Sequence, residues 1–289
     1  MSFRDLTRRR FVKTAALASA GVGFAPYAAG AASPFREKRS DGHIPFTLGV
    51  ATYSLRRFDR TEAISMVQAL HVEHVSVKSF HMPYEDSPED LASGVREFAR
   101  AGIELVSGGN NTIDKDDDDH VRMFFEYARA VGIPMLVIAP TAKNMPRIER
   151  FVKEYDISVA IHNHGPEDPH FPGPRDGLEV IRDMDPRVGL CIDVGHTART
   201  GVDVVESIAE AGDRLLDVHM KDLRDMSDRD SQCIVGEGAM PVADIFRQLV
   251  EMNYQGYVNL EYEIDARDPL PGMKQSFAYM RGVLAGMAA

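Results

Sequence analysis

Only two cysteines occur in the 289 residues, Cys191 and Cys233, too few for a disulfide framework. One sits in an apolar, strand-like run and the other in a polar loop, so they read as unpaired. Beyond the first thirty residues no run is apolar enough to span a bilayer, which takes roughly 20 strongly apolar residues. Positive charge is also scarce: 33 Lys and Arg stand against 44 Asp and Glu, a net charge of −11. Such a surface repels nucleic acid and anionic membranes. No dense basic cluster marks a phosphate site, and no glycine-rich phosphate loop follows the first apolar run.

The first 31 residues are a segment apart. Arg4 and the run Thr7-Arg8-Arg9-Arg10-Phe11-Val12-Lys13 precede a mildly apolar stretch rich in Ala and Gly, which ends at Ala29-Gly30-Ala31. This resembles a twin-arginine export signal, with Val12 where leucine is usual. The reading implies a signal over residues 1–31, handed to the twin-arginine translocation machinery, then a linker over 32–45. The mature protein would be periplasmic or secreted, without stable membrane association. Removing five basic residues and one acidic one would leave it at −15.

From residue 46 onward, short β-branched runs alternate with amphipathic helical patterns. Strands are predicted over 47–53, 72–80, 103–107, 135–139, 157–162, 188–193, 215–220 and 257–263. Helices are predicted over 61–70, 88–100, 116–131, 146–155, 177–184, 203–210, 241–252 and 271–284. Ser87 followed by Pro88, Glu89 and Asp90 is a helix start, and Asp116–Asp119 places acids at a helix N-terminus. Glycines at 102, 132 and 212 mark helix ends. Repeated strand–helix units imply parallel pairing with right-handed crossovers, and eight units in about 250 residues fit one closed (β/α)₈ barrel over 46–289.

Such barrels place their sites at the carboxyl ends of the strands. Those ends carry Lys78 and His81, Asn110, His162-Asn163-His164 with Glu167 close behind, Asp193 and His196, His219 and Lys221, and Glu261. Carboxylates converging at the mouth would repel one another unless a cation or protons compensated. Imidazole with carboxylate suits a divalent transition ion: Mn²⁺ or Zn²⁺ foremost, with Co²⁺, Fe²⁺ or Mg²⁺ as alternatives.

Three motifs then carry a resemblance. The runs Cys191-Ile192-Asp193-Val194-Gly195-His196, His219-Met220-Lys221-Asp222 and Gly256-Tyr257-Val258-Asn259-Leu260-Glu261 resemble the xylose isomerase-like barrel superfamily. That group holds sugar isomerases and epimerases together with abasic-site endonucleases. The resemblance implies Asp193, His219 and Glu261 as metal ligands and His196 as a contact to substrate oxygens. Epimerases of the group carry a glutamate on strand five, where this chain has His162. The stretch from His162 to Glu167 instead resembles a sub-branch marked H-N-H-x-x-E. Residues 162 and 164 share a strand face, so either could be the fourth ligand, with His162 preferred.

The chemistry this site suits is enolisation: a polarised carbonyl, and a base that removes the neighbouring carbon-bound proton. Glu261 is the candidate base, and Lys78, His164 and Glu167 are candidates for further proton transfer. His81, His196, Lys221 and Asn110 are candidate substrate contacts. The leading reading is a metal-dependent isomerase or epimerase of a non-phosphorylated sugar or polyol. A lyase or hydrolase that β-eliminates from 3-oxo-glycosides is the alternative, and a non-catalytic sugar-binding barrel comes third. The loop from Asp222 to Met240 reads equally as a lid or a passive surface loop. Oligomeric state has no signature in the sequence.

Overall fold

The computed structural model describes residues 44–289, so the segment that resembles an export signal and most of the expected linker lie outside the described residues. Eight parallel strands close into a barrel: β1 (Thr47–Ala51), β2 (His74–Val77), β3 (Glu104–Ile113), β4 (Met135–Pro140), β5 (Ser158–His162), β6 (Val188–Asp193), β7 (Leu215–Met220) and β10 (Tyr257–Leu260). The ring shuts where β1 pairs with β10, Thr47 opposite Tyr257. The single (β/α)₈ barrel expected from the alternating pattern is the fold.

The helices follow their local chemistry. Ser87 caps α2 (Pro88–Arg100), accepting from the Asp90 amide at 3.1 Å, with Pro88 in the first turn. Asp117 caps α3 (Asp118–Val131), and Asp116 and Asp118 pair with Arg147 and Arg150. The acidic run is thus a helix start tied to its neighbour α4 (Met145–Tyr155). Gly132 ends α3 at φ 79°, a left-handed conformation that a side chain would strain.

Three features depart from the sequence expectation. Strand β3 runs on to Ile113, because Gly109 lets the chain press against β4; a Cβ there would lie 2.3 Å from the Val137 carbonyl oxygen. A short helix, α6 (Val194–Arg199), starts directly off Asp193. The loop after β7 pairs with itself as β8 (Asp222–Leu223) and β9 (Gln232–Cys233). Both cysteines are buried and unpaired. Among the described residues no helix is long and apolar enough to cross a membrane.

Strand alternation sorts the barrel into two cores. Outward-facing residues pack against the helices in one large apolar cluster. The small inner cluster is Met135, Val137, Ala160 and Cys191. Below the mouth lies a polar layer, where buried Asp217 accepts from Asn259 at 2.8 Å. Gly49 makes room for it: a Cβ there would sit 2.2 Å from the Asn259 side-chain oxygen.

Asp222 fixes the long loop. Its carboxylate accepts from the amides of Leu223, Gly236, Gly238 and Met240 at 2.9, 2.8, 3.1 and 3.0 Å. Gln232 adds a second tie, donating to the Glu261 carbonyl and accepting from the Glu263 amide. The tip between these anchors is closed by its own bonds, the Arg224 amide donating to the Ser231 carbonyl at 3.0 Å. Asp222→Ala strands four amides, and hydrogen bonds to a charged partner are worth about 1.5–3 kcal/mol each before compensation by water. We expect a loss of about 3 kcal/mol in denaturant unfolding and faster proteolysis within 224–240. A loss under about 1 kcal/mol would show that the loop holds its shape without the aspartate.

Candidate metal centre

Four donors meet inside the barrel mouth: His162, Asp193 and His219 from β5, β6 and β7, and Glu261 from the residue just after β10. Parity explains the meeting. His162 is on the face of Ala160, Asp193 on that of Cys191, His219 on that of Asp217, and Glu261 on that of Asn259. One ligand atom from each of the four lies within 4.8 Å of the others, and all four residues are buried. His162 Nε2 stands 3.0 Å from His219 Nδ1, 3.5 Å from Asp193 Oδ2 and 3.9 Å from Glu261 Oε2. His219 Nδ1 is 3.3 Å from the same Glu261 oxygen. A tetrahedral ion bound at about 2.0–2.2 Å sets its donors about 3.4 Å apart, so the spacing fits. Asp193 Oδ2 takes no backbone hydrogen bond and faces the Lys221 ammonium at 2.9 Å.

The residues around this centre fix each ligand. Asp193 Oδ1 accepts from the His196 amide at 2.8 Å and so caps α6, leaving Oδ2 to face the donors. Asn163 points the other way from the two histidines beside it. It accepts from the Asp193 amide at 3.0 Å and donates to Thr197 at 3.1 Å, latching β5 to β6. The alternation within His162-Asn163-His164 is the sequence signal for this role.

Lys221 is 3% exposed, borders the cavity above the centre and is part of its charge balance. Its ammonium lies 2.9 Å from Asp193, 3.0 Å from Glu261 and 3.3 Å from Glu263. Burial acts to neutralise Lys221, but Asp193 and Glu261 outweigh it and hold the ammonium well above its usual pKa. Burial would likewise raise Glu261, yet Lys221 and His219 keep its carboxyl well below the ordinary range. His162 is pushed down to about 3 by burial, so its ring is neutral, the form in which an imidazole can bind an ion. For His219 burial is overcome by Glu261, and the ring is pushed up to about 9. Burial raises Glu263, against the pull of Lys221.

A cavity of about 620 Å³ opens above the centre, and Lys78, Asn110, His164, Glu167 and His196 border it. His164 stands beside the ligand cluster: its Nδ1 faces Asp168 at 3.1 Å and its Nε2 faces Asn110 at 2.7 Å. Asp168 can only accept from Nδ1, which leaves Nε2 accepting from the Asn110 amide. Asp168 was not foreseen as a site residue. Lys78 donates to the Asn110 carbonyl, and burial lowers its pKa, with Glu261 opposing. Glu167 is exposed and pairs with Arg199, whose hydrogen bond is the chief cause of its lowered pKa. That pairing leaves it a poor base. His81 is not brought to the cavity. It is buried near the backbone of Leu55 and Phe58, because the turn after β2 directs Lys78 inward and residue 81 back into the core.

Two outcomes test the centre. Asp193→Ala should lose bound ion, measured by metal analysis of the purified protein; full metal content in the variant would refute its role as a ligand. Because His219 carries a proton below about pH 9 in the ion-free protein, ion binding near neutral pH must expel it. Apparent affinity should therefore climb with pH up to about 9 and then level. Calorimetry in buffers of different ionisation enthalpy should report about one proton released at pH 7.5.

Comparison with known proteins agrees with this architecture. Inosose dehydratase of Mesomycoplasma hyopneumoniae is 23% identical over 163 residues, covering 50% of this chain and 54% of that protein. The chain thus spans about half the length of the curated relatives it matches. Among solved structures, the IolI protein with a bound zinc atom superimposes with a TM-score of 0.70 at 14% identity, over 83% of this chain and 99% of that one. The 3-keto-D-glucoside 4-epimerase of E. coli gives 0.65 at 16% identity, over 82% and 99%. The profile of the xylose isomerase-like TIM barrel family matches residues 69–283. This chain belongs to the xylose isomerase-like TIM barrel family.

Proposed function

We propose that the protein is a divalent-metal-dependent sugar isomerase or epimerase that enolises a non-phosphorylated sugar or polyol next to its carbonyl. The observation that carries this reading is the four-residue donor set at the floor of a polar cavity, with an ionised Glu261 beside it. An ion held by His162, Asp193, His219 and Glu261, with Mn²⁺ or Zn²⁺ foremost, would polarise the carbonyl and its neighbouring hydroxyl. Glu261 accepts the carbon-bound proton, and Lys221 keeps its carboxylate charged and oriented. His164, held through Nδ1 by Asp168, stands on the β5 side of the cavity, where its Nε2 lone pair is a second proton acceptor. Lys78, with its lowered pKa, and His196 hold the substrate oxygens. The twin-arginine-like segment supports a periplasmic or secreted location, where unphosphorylated sugars are the available substrates.

A second reading has specific support. Epimerases of the group use a strand-five glutamate, and His162 cannot replace it as a carboxylate acid–base. The curated relatives include inosose dehydratases. The same enolate with a leaving group on the β carbon would expel that group, which describes a lyase acting on a keto-sugar or a 3-oxo-glycoside. In that reaction Glu263 or Lys78 would protonate the departing oxygen.

Incubation of the Mn²⁺- or Zn²⁺-loaded protein with free ketoses, keto-inositols and 3-oxo-glycosides in deuterated water separates the readings. Deuterium at carbon without bond cleavage is the expected result. Release of water or aglycone would transfer the assignment to elimination. No exchange into any of these compounds would refute both. Glu261→Gln should lower exchange by at least about 10²-fold, the low end of what a positioned base contributes.

A further inference from the structure

Cys191 is fully buried and does not border the cavity above the metal centre, and the chemistry proposed for that centre makes no use of it. It is nonetheless one strand-step from two of the ligands. In the sheet register Cys191 lies directly beside His162 on one side and Asp217 on the other, and His219 follows two residues after Asp217 on the same inward face. Its sulfur and a ring nitrogen from each histidine lie within 4.8 Å of one another. His162 Nδ1 and His219 Nε2 are buried without hydrogen-bond partners, so each ring keeps an unused nitrogen.

We propose that the barrel holds a second donor set, His162–Cys191–His219, which takes thiophilic ions such as Cd²⁺ or Cu⁺ one layer below the carboxylates. The two sets share both histidines and differ in softness: two carboxylates above, one thiolate below. Thiolate selects soft ions, whereas carboxylate suits Mn²⁺ and Mg²⁺. Lys221 makes the lower set usable by itself. With its ammonium 2.9 Å from Asp193 and 3.0 Å from Glu261, the upper carboxylates stay compensated while the ion sits deeper. As the sulfur–metal bond forms, the thiol proton leaves to solvent and no electron is transferred. An ion held there shares both histidines with the upper set and lies under the cavity floor. Thiophilic ions therefore displace the working ion and silence the enzyme.

This inference rests on ion binding at the upper set, and spectroscopy separates the two claims. The full chain, stripped of ions, is titrated with Cd²⁺ and separately with Mn²⁺. Cd²⁺ should bind one per chain and develop an ultraviolet thiolate-to-cadmium charge-transfer band. Cys191→Ser should abolish the band and weaken Cd²⁺ by at least about tenfold, the lower end of what losing even an outer-shell partner costs. Its Mn²⁺ affinity should stay within about twofold, since Mn²⁺ prefers the oxygen donors. The doubly substituted Asp193→Ala, Glu261→Ala protein should keep the band, and so should Cys233→Ser, which removes the other thiol. Mn²⁺ binding with a Cd²⁺ complex that shows no band would overturn the lower set alone. Failure of both ions to bind would overturn the upper set and the lower one with it. Should Cys191→Ser fail to fold, the wild-type band and its survival in Cys233→Ser decide the matter.

Discussion

Two carboxylates buried at the mouth of a barrel cannot both stay ionised unless positive charge is buried with them. Against burial, Asp193 and Glu261 are both held well below their usual range, Asp193 by His196 and Lys221 and Glu261 by Lys221 and His219. The surrounding structure follows from that balance. Lys221 must run along the barrel wall to reach both carboxylates, Asn163 must fix the Asp193 backbone, and Asp193 must divide its oxygens between a helix start and the centre. A divalent ion would join an arrangement that already tolerates concentrated charge, displacing the proton on His219.

The barrel was legible because its signals are local. Period-two apolar runs, the Ser87 cap and the glycines at helix ends each act over a few residues, and each marks one boundary. The meeting of His162, Asp193, His219 and Glu261 was legible for a related reason: parity at a strand end decides which residues face inward. What escaped is set by distant contact. Nothing near His81 in the sequence tells that the turn after β2 reverses it into the core. Gly108 and Gly109 read as a loop, yet β3 continues through them because the β4 backbone comes close at Val137. Asp168 has the sequence context of an ordinary loop acid, and only the folded loop brings it onto His164.

Strand five carries the functional question. A histidine there keeps the number of ligands but removes one negative charge from the centre and one carboxylate from the proton-transfer chemistry. The neighbouring residues show how the chain meets that loss. His164, two positions on, is oriented by Asp168 and Asn110 to serve from the same strand, while Glu167 is taken up by Arg199. Under the proposed enolisation the base would stand on the β10 side, and an imidazole would take the place of the opposing carboxylate.

The stem of Lys221 passes over Gly195, where a Cβ would stand 2.7 Å from two of its carbons. Position 195 lies in the strand-six motif and 221 in the strand-seven motif, so the two are one unit sterically though they are 26 residues apart. Across related sequences the pair should therefore vary together. A chain with alanine or serine at the first position would have to give up the long cation at the second, and with it this way of neutralising the carboxylates. Co-variation at this pair would thus sort family members by how they balance charge at the mouth, independently of the reaction each one runs.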